Sequence, residues 1–153
     1  MLPLPRLRTI PLRNRAGRRP VTVAVLGEQR EEKGYHLMPE VARLLLGGGR
    51  DLRLLAHNGS PRQVPQAQEA MRALAAREAR LLLDERVAGP ALWAQLLEAA
   101  DLVLSPYDPV RFAVSYSAVA AEAVANGIPQ VVPAGTSLSR MLQEFGNGGT
   151  AFG

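Results

Sequence analysis

Short apolar runs alternate with longer amphipathic stretches from residue 21 onward. Val21 to Gly27 is a β-branched run closed by glycine, as expected of a central parallel strand. Apolar positions at Leu37, Val41, Leu44 and Leu45 then predict a helix from about His36 to Leu46, ended by Gly47-Gly48-Gly49. Leu52 to Ala56 reads as a second strand, and His57-Asn58-Gly59-Ser60-Pro61 as the turn after it. A polar helix from Pro65 to Glu78 leads to a third strand at Ala79 to Leu83. Pro90 opens a helix through Leu97, with Leu92, Trp93, Leu96 and Leu97 facing inward, which delivers the chain to a strand at Leu102 to Leu104. Ser115-Tyr116-Ser117 starts an alanine-rich helix ending at Asn126-Gly127, and Val131-Val132 forms the fifth strand. A last helix spans about Leu138 to Phe145. Strand and helix alternate throughout, which predicts right-handed crossovers and a Rossmann-like three-layer α/β/α domain. Its parallel sheet has five strands in the order 3-2-1-4-5.

Composition narrows the chemistry. At 153 residues and 47% hydrophobic, the chain is long and apolar enough to bury one core. It has no cysteine and two histidines, so thiol nucleophiles, disulfides and Cys- or His-based metal sites are disfavoured. The net charge of +4 is uneven: six arginines and four prolines fall in residues 1–20 with no acid, leaving 12 basic against 14 acidic groups elsewhere. Residues 1–20 read as a solvated linker or leader that could touch anionic lipid or a partner, and 21–153 as the folded domain. The body shows no basic face or aromatic platform for nucleic acid. No apolar run reaches a membrane span, and prolines and arginines interrupt any secretory core, so a cytoplasmic protein is expected.

The most informative stretch is 101–136. Glu122 sits in an otherwise apolar helix (Val119, Ala120, Ala121, Ala123, Val124, Ala125), where an unpaired charge is costly, and no basic residue lies one turn away at Ala118 or Asn126. This loop, the Glu-bearing helix and the following Gly127-Ile-Pro-Gln-Val-Val132 resemble the donor-binding C-terminal domain of GT-B-type glycosyltransferases. The likeness is to the retaining bacterial family 4, or group 1, and within it to a subgroup with the Tyr-Ser…Glu-Ala…Pro-Ala-Gly-Thr pattern. The resemblance implies that Glu122 accepts hydrogen bonds from ribose hydroxyls of a nucleoside-diphosphate sugar. It also implies that the helix N-terminus around Ser115, Tyr116 and Ser117 faces the diphosphate, a placement that free N–H groups and the helix dipole favour. Many members carry another Glu eight residues earlier; here that position is Val114.

The loop Gly27 to Gly34 is similar to the family's Gly-Arg…Glu-Lys-Gly signature, with Lys33 matching the lysine and Glu28 standing at the arginine position. Lys33 is the only lysine of the 18 basic residues. The resemblance implies that Lys33 neutralises the departing diphosphate, with Arg30 as substitute for the displaced arginine, and that no divalent metal takes part. The resemblance implies an acceptor half and closing C-terminal helices as well, so the chain is expected to be a truncated or excised donor domain. Read without the resemblance, Lys33 is a solvated loop residue, Ser115 and Ser117 are helix caps, Tyr107, Tyr116 and Trp93 are packing residues, and His57 is a satisfied turn histidine. Gly47-Gly48-Gly49 lacks the spacing of a nicotinamide site, and Asn58-Gly59-Ser60 with Pro61 after it is a turn more readily than a glycosylation site. Besides a glycosyltransferase donor domain, two functions fit: a degenerate binding or interaction module, and half of a GT-B-type sugar-nucleotide epimerase.

Overall fold

A computed structural model describes residues 17, 19–145 and 150–153. The basic leader read at 1–20 lies almost wholly outside the described residues. Six strands form one parallel sheet: β1 (Val21–Val25), β2 (Leu52–His57), β3 (Leu81–Asp84), β4 (Leu102–Leu104), β5 (Gln130–Pro133) and β6 (Thr150–Phe152), in the order β3-β2-β1-β4-β5-β6. The expected five-stranded sheet is therefore corrected to six. Thr150 to Phe152 are too few and too exposed to show an apolar run, yet they pair with Val131 to Pro133 and extend the edge.

Alternation along β1 explains the layers. Val23 and Val25 point to one face, where they meet Leu54, Ala56 and Leu81 and the helices α1 (Met38–Gly47) and α2 (Pro65–Ala75) through Met38, Ala42, Leu46 and Met71. Ala24 and Leu26 point to the other, against Leu55 and Val103 and the helices α3 (Pro90–Ala99) and α4 (Ala118–Ala125) through Leu96, Leu97, Val119 and Ala123. The last helix, α5 (Ser137–Phe145), closes a smaller cluster of Tyr107, Phe112, Val132, Leu138 and Leu142.

Two local expectations change. The first helix does not begin at His36: two 3₁₀ turns, Glu31–Lys33 and Tyr35–Leu37, come first, and α1 starts at Met38 with Pro39 in its first turn. Those tighter turns rotate the phase, so Met38, Ala42 and Leu46 face the core while Leu37 and Leu44 are solvent-exposed. α2 stops at Ala75 rather than Glu78. Glu78 instead accepts from the Arg80 backbone N–H and pairs with its guanidinium, which also donates to the Leu46 carbonyl at 2.6 Å and so caps the end of α1. Among the described residues, no helix is long and apolar enough to cross a membrane.

Candidate functional site

β1 pairs with β2 on one side and β4 on the other, so chain direction across the sheet reverses between β1 and β4. A crevice forms at such a switch point because the loops leaving the two strands run to opposite faces. Here the loops are Gly27 to Gly34 and Ser105 to Ser117, and they are seamed together. The Asp108 N–H donates to the Glu32 carbonyl at 2.9 Å. Gly34 holds φ +73° against Pro106, and a β-carbon built on it would fall 1.7 Å from the Pro106 carbonyl oxygen.

The second loop is also tied from below. The Ser137 N–H donates to the Phe112 carbonyl at 2.9 Å, the Ser137 hydroxyl donates to the Ser115 carbonyl, and Arg140 donates to the carbonyls of Ala113 and Gly135. Asp108 Oδ1 accepts from the N–H groups of Val110 and Arg111 at 2.8 and 3.1 Å, a tight turn that the Asp-Pro-Val-Arg sequence favours. Ser117 caps α4 by accepting from the Ala120 N–H at 3.2 Å. Ser115 is not a cap; its hydroxyl donates to the Arg111 carbonyl at 2.8 Å.

Between these loops lies a cavity of about 240 Å³ whose walls include Arg30, Lys33, Arg111, Ser115, Ser117 and Val119. Tyr116 also reaches its rim and stays exposed. The Lys33 ammonium stands 5.8 Å above the ring of Tyr107, which is buried against Phe112 at 4.4 Å between ring centroids. Burial pulls the Lys33 pKa below the ordinary lysine value, helped by repulsion from Arg30 and opposed by Glu28 and Glu32. The Lys33 ammonium makes no hydrogen bond or ion pair among the described residues. An ammonium and a helix N-terminus both attract negative charge, and the carboxylates of Glu28 and Glu32 already act on this ammonium.

Gly27 lines a second hollow of about 190 Å³, with Glu28, His57, Gly59, Val87, Ala88 and Trp93. A β-carbon on Gly27 would come within 3.2 Å of Val119 Cγ2 and 3.9 Å of Lys33 Nζ, and its φ of +103° is one that L side chains rarely adopt, so the position favours glycine. His57 is buried and satisfied: Nδ1 accepts from the Gly27 N–H at 3.1 Å and Nε2 pairs with the Arg86 carbonyl at 2.9 Å. The tautomer with hydrogen on Nε2 meets both demands. Trp93 is half-buried at the edge of this second hollow, and its indole N–H donates to Glu122 Oε2. Glu122 therefore has a neutral partner on α3, and its Oε1 receives no hydrogen bond among the described residues.

Of the residues singled out in the sequence, Lys33, Arg30, Ser115, Tyr116 and Ser117 line the first cavity, and Gly27 lines the second. Glu122 lines neither: it lies one turn beyond Val119 on α4, behind Trp93. Sequence reasoning missed three features. Arg111 was visible only as an arginine in the polar loop after β4. The role of Trp93 as Glu122's partner is a contact between helices, which no local pattern encodes. The third is the buried chain in which Gln29 N–H donates to Asn58 Oδ1, Asn58 Nδ2 to Gln68 Oε1 and Gln68 Nε2 to Glu85 Oε1, bracing the first loop from beneath. Among the described residues no group of three or more His, Asp or Glu could hold a metal ion.

No protein-family model matches the sequence, and no curated protein matches it significantly. Solved structures do match. The C-terminal domain of a glycosyl transferase group 1 family protein from Francisella tularensis aligns at 18% identity and TM-score 0.58 over 76% of this chain and 60% of that one. The fold is GT-B-like. Trehalose-6-phosphate synthase OtsA aligns at 14% identity and TM-score 0.59, covering 86% of this chain and 32% of that one. A candidate UDP-N-acetylglucosamine 2-epimerase from Listeria monocytogenes aligns at 20% and 0.57, covering 81% and 30%. The chain thus spans from under a third to about three-fifths of the lengths of these GT-B-like relatives.

Proposed function

We propose that this chain is the donor-binding domain of a glycosyltransferase, holding a nucleoside-diphosphate sugar for transfer with retention to an acceptor bound on a separate domain. The observation that carries the reading is Lys33: one desolvated, unpartnered ammonium facing the Gly27 backbone and the capped start of α4, at the switch point of a GT-B-like sheet. The diphosphate occupies the first cavity, against Lys33 and the N–H groups of Ala118 and Val119. The nucleoside runs past Gly27 toward the second, less polar hollow. The ribose then lies near Glu122, whose Oε2 is steadied by Trp93 while Oε1 remains open to a hydroxyl.

During transfer the anomeric carbon–oxygen bond breaks and its electron pair stays on the departing diphosphate. An acceptor hydroxyl bonds to the same carbon, and its proton passes to an oxygen of the departing diphosphate. Negative charge grows on the leaving group, and fixed positive groups around it lower the barrier because they need no reorganisation. No general base is assigned among these residues.

Isothermal titration against uridine, guanosine and adenosine diphosphates and their sugars tests the reading. Binding of at least one is expected, with Glu122→Ala weakening nucleoside diphosphates while leaving inorganic pyrophosphate unchanged. A protein that binds none of them refutes it. The Listeria likeness favours a second reading, half of a sugar-nucleotide epimerase, and product analysis after supplying an N-terminal domain separates the two. Val114 at 89% exposed, where the resemblance has a carboxylate, favours a third, a docking module without catalysis, which any glycosyl transfer would exclude.

A further inference from the structure

We infer that the second cation on the diphosphate is Arg111, from the loop after β4, and not Arg30 from the loop after β1; this rests on the diphosphate reading above. The position where the resemblance has an arginine carries Glu28 here, and Arg30, two residues on, looks like the natural replacement in sequence. Its surroundings argue otherwise. The Arg30 guanidinium is paired with Glu32 at 3.5 Å. It also stands close enough to Lys33 to repel it and depress its pKa. Arg30 and Glu32 together bring no net charge to the cavity that both of them line.

Arg111 differs on each count. Its guanidinium makes no hydrogen bond or ion pair among the described residues. The nearby carboxylate, Asp108, accepts from backbone N–H groups and is fixed by them through Oδ1. Arg111 and Lys33 both line this cavity, and Arg30, not Arg111, is the cation whose repulsion bears on Lys33. Its backbone is also preorganised, since its N–H is held by Asp108 and its carbonyl by the Ser115 hydroxyl, in a loop that Ser137 and Arg140 fasten to the body. Lys33 and Arg111 supply two unpaired positive charges, which match the two negative charges of an esterified diphosphate, and a guanidinium can bind two phosphate oxygens at once.

Titration calorimetry with inorganic pyrophosphate and with uridine diphosphate, at low and moderate salt, compares Arg111→Gln, Arg30→Gln and Lys33→Gln with the unaltered chain. Circular dichroism melts confirm that each variant is folded, which is expected because neither arginine side chain is buried. Arg111→Gln is expected to weaken both ligands roughly tenfold or more, and Arg30→Gln less than about threefold. Arg111→Lys should recover part of the loss. If Arg30→Gln costs as much affinity as Arg111→Gln or more, the assignment of Arg111 falls while the diphosphate reading stands. If the unaltered chain binds neither ligand, nor any other nucleoside diphosphate, both fall together.

Discussion

Replacing Gly34 by alanine tests whether the crevice depends on the contact between its two loops. Two separate penalties apply. Gly34 has φ +73° and ψ 14°, a left-handed conformation that costs an alanine about 1–2 kcal/mol, partly offset because alanine loses less chain entropy on folding. The new methyl would also sit 1.7 Å from the Pro106 carbonyl oxygen and 2.7 Å from its carbon, far inside contact distance and against backbone, which cannot rotate away. Relief requires the loops to part by more than an ångström, straining or breaking the 2.9 Å bond from Asp108 N–H to the Glu32 carbonyl. Overpacking of this kind costs about 1–3 kcal/mol and the lost hydrogen bond about 1 kcal/mol, so the whole is about 3–5 kcal/mol, a large share of a domain's stability. Gly127→Ala is the control: φ is +61° there and nothing lies within 4 Å, so only the conformational penalty of about 1 kcal/mol applies. Urea denaturation followed by circular dichroism measures both. Equal losses for the two variants would refute the close apposition of Gly34 and Pro106.

Other outcomes follow from the same geometry. Trp93→Phe keeps the ring against the core but removes the donor to Glu122, and should cost about 1–3 kcal/mol by denaturation and weaken nucleoside binding; an unchanged midpoint and affinity would show that the indole does not steady the carboxylate. Ser117→Ala should cost about 1 kcal/mol through loss of the α4 cap, read by thermal melting. Glu78, bonded to Arg80, has its pKa lowered from 4.5 to about 2. Its folded-state value lies below its unfolded one, so its contribution is complete above the unfolded pKa and is lost as pH falls toward 2. NMR titration of the side chain should follow that window, and a midpoint near the ordinary glutamate value would remove the cap assigned to Arg80. Lys33 has a folded-state pKa below 10.5, so the native state sheds that proton first, and its contribution to stability rises as pH climbs through the depressed value. Bound pyrophosphate should raise that pKa, visible in the Lys33 side-chain NMR signal, and no movement on saturation would place the anion elsewhere.

The layered sheet was legible because its evidence is local. The Val21–Gly27 run, the glycine and proline breaks and the alternation of periods each mark an element where it stands, and the order of the first five strands follows from crossover rules. β6 was not legible, since three exposed residues become a strand only by pairing with β5. The phase of α1 was misread because 3₁₀ turns at Glu31–Lys33 and Tyr35–Leu37 carry no sequence mark distinct from a helix start. At the site, Lys33 and the Ser117 cap could be found from residue type and position. Arg111 owes its place to a loop folded by Asp108 and held by α5, and Glu122's partner comes from 29 residues away in sequence, so both depend on tertiary structure that no short pattern contains.

Trp93 is the sole tryptophan of the chain, and it stands at the rim of the second hollow with its indole nitrogen held by a carboxylate. The protein therefore carries its own optical gauge. Tryptophan emission, excited beyond tyrosine absorption, comes from this single ring, and filling that hollow would change the polarity around it, so occupancy can be followed by fluorescence in solution without attaching a dye.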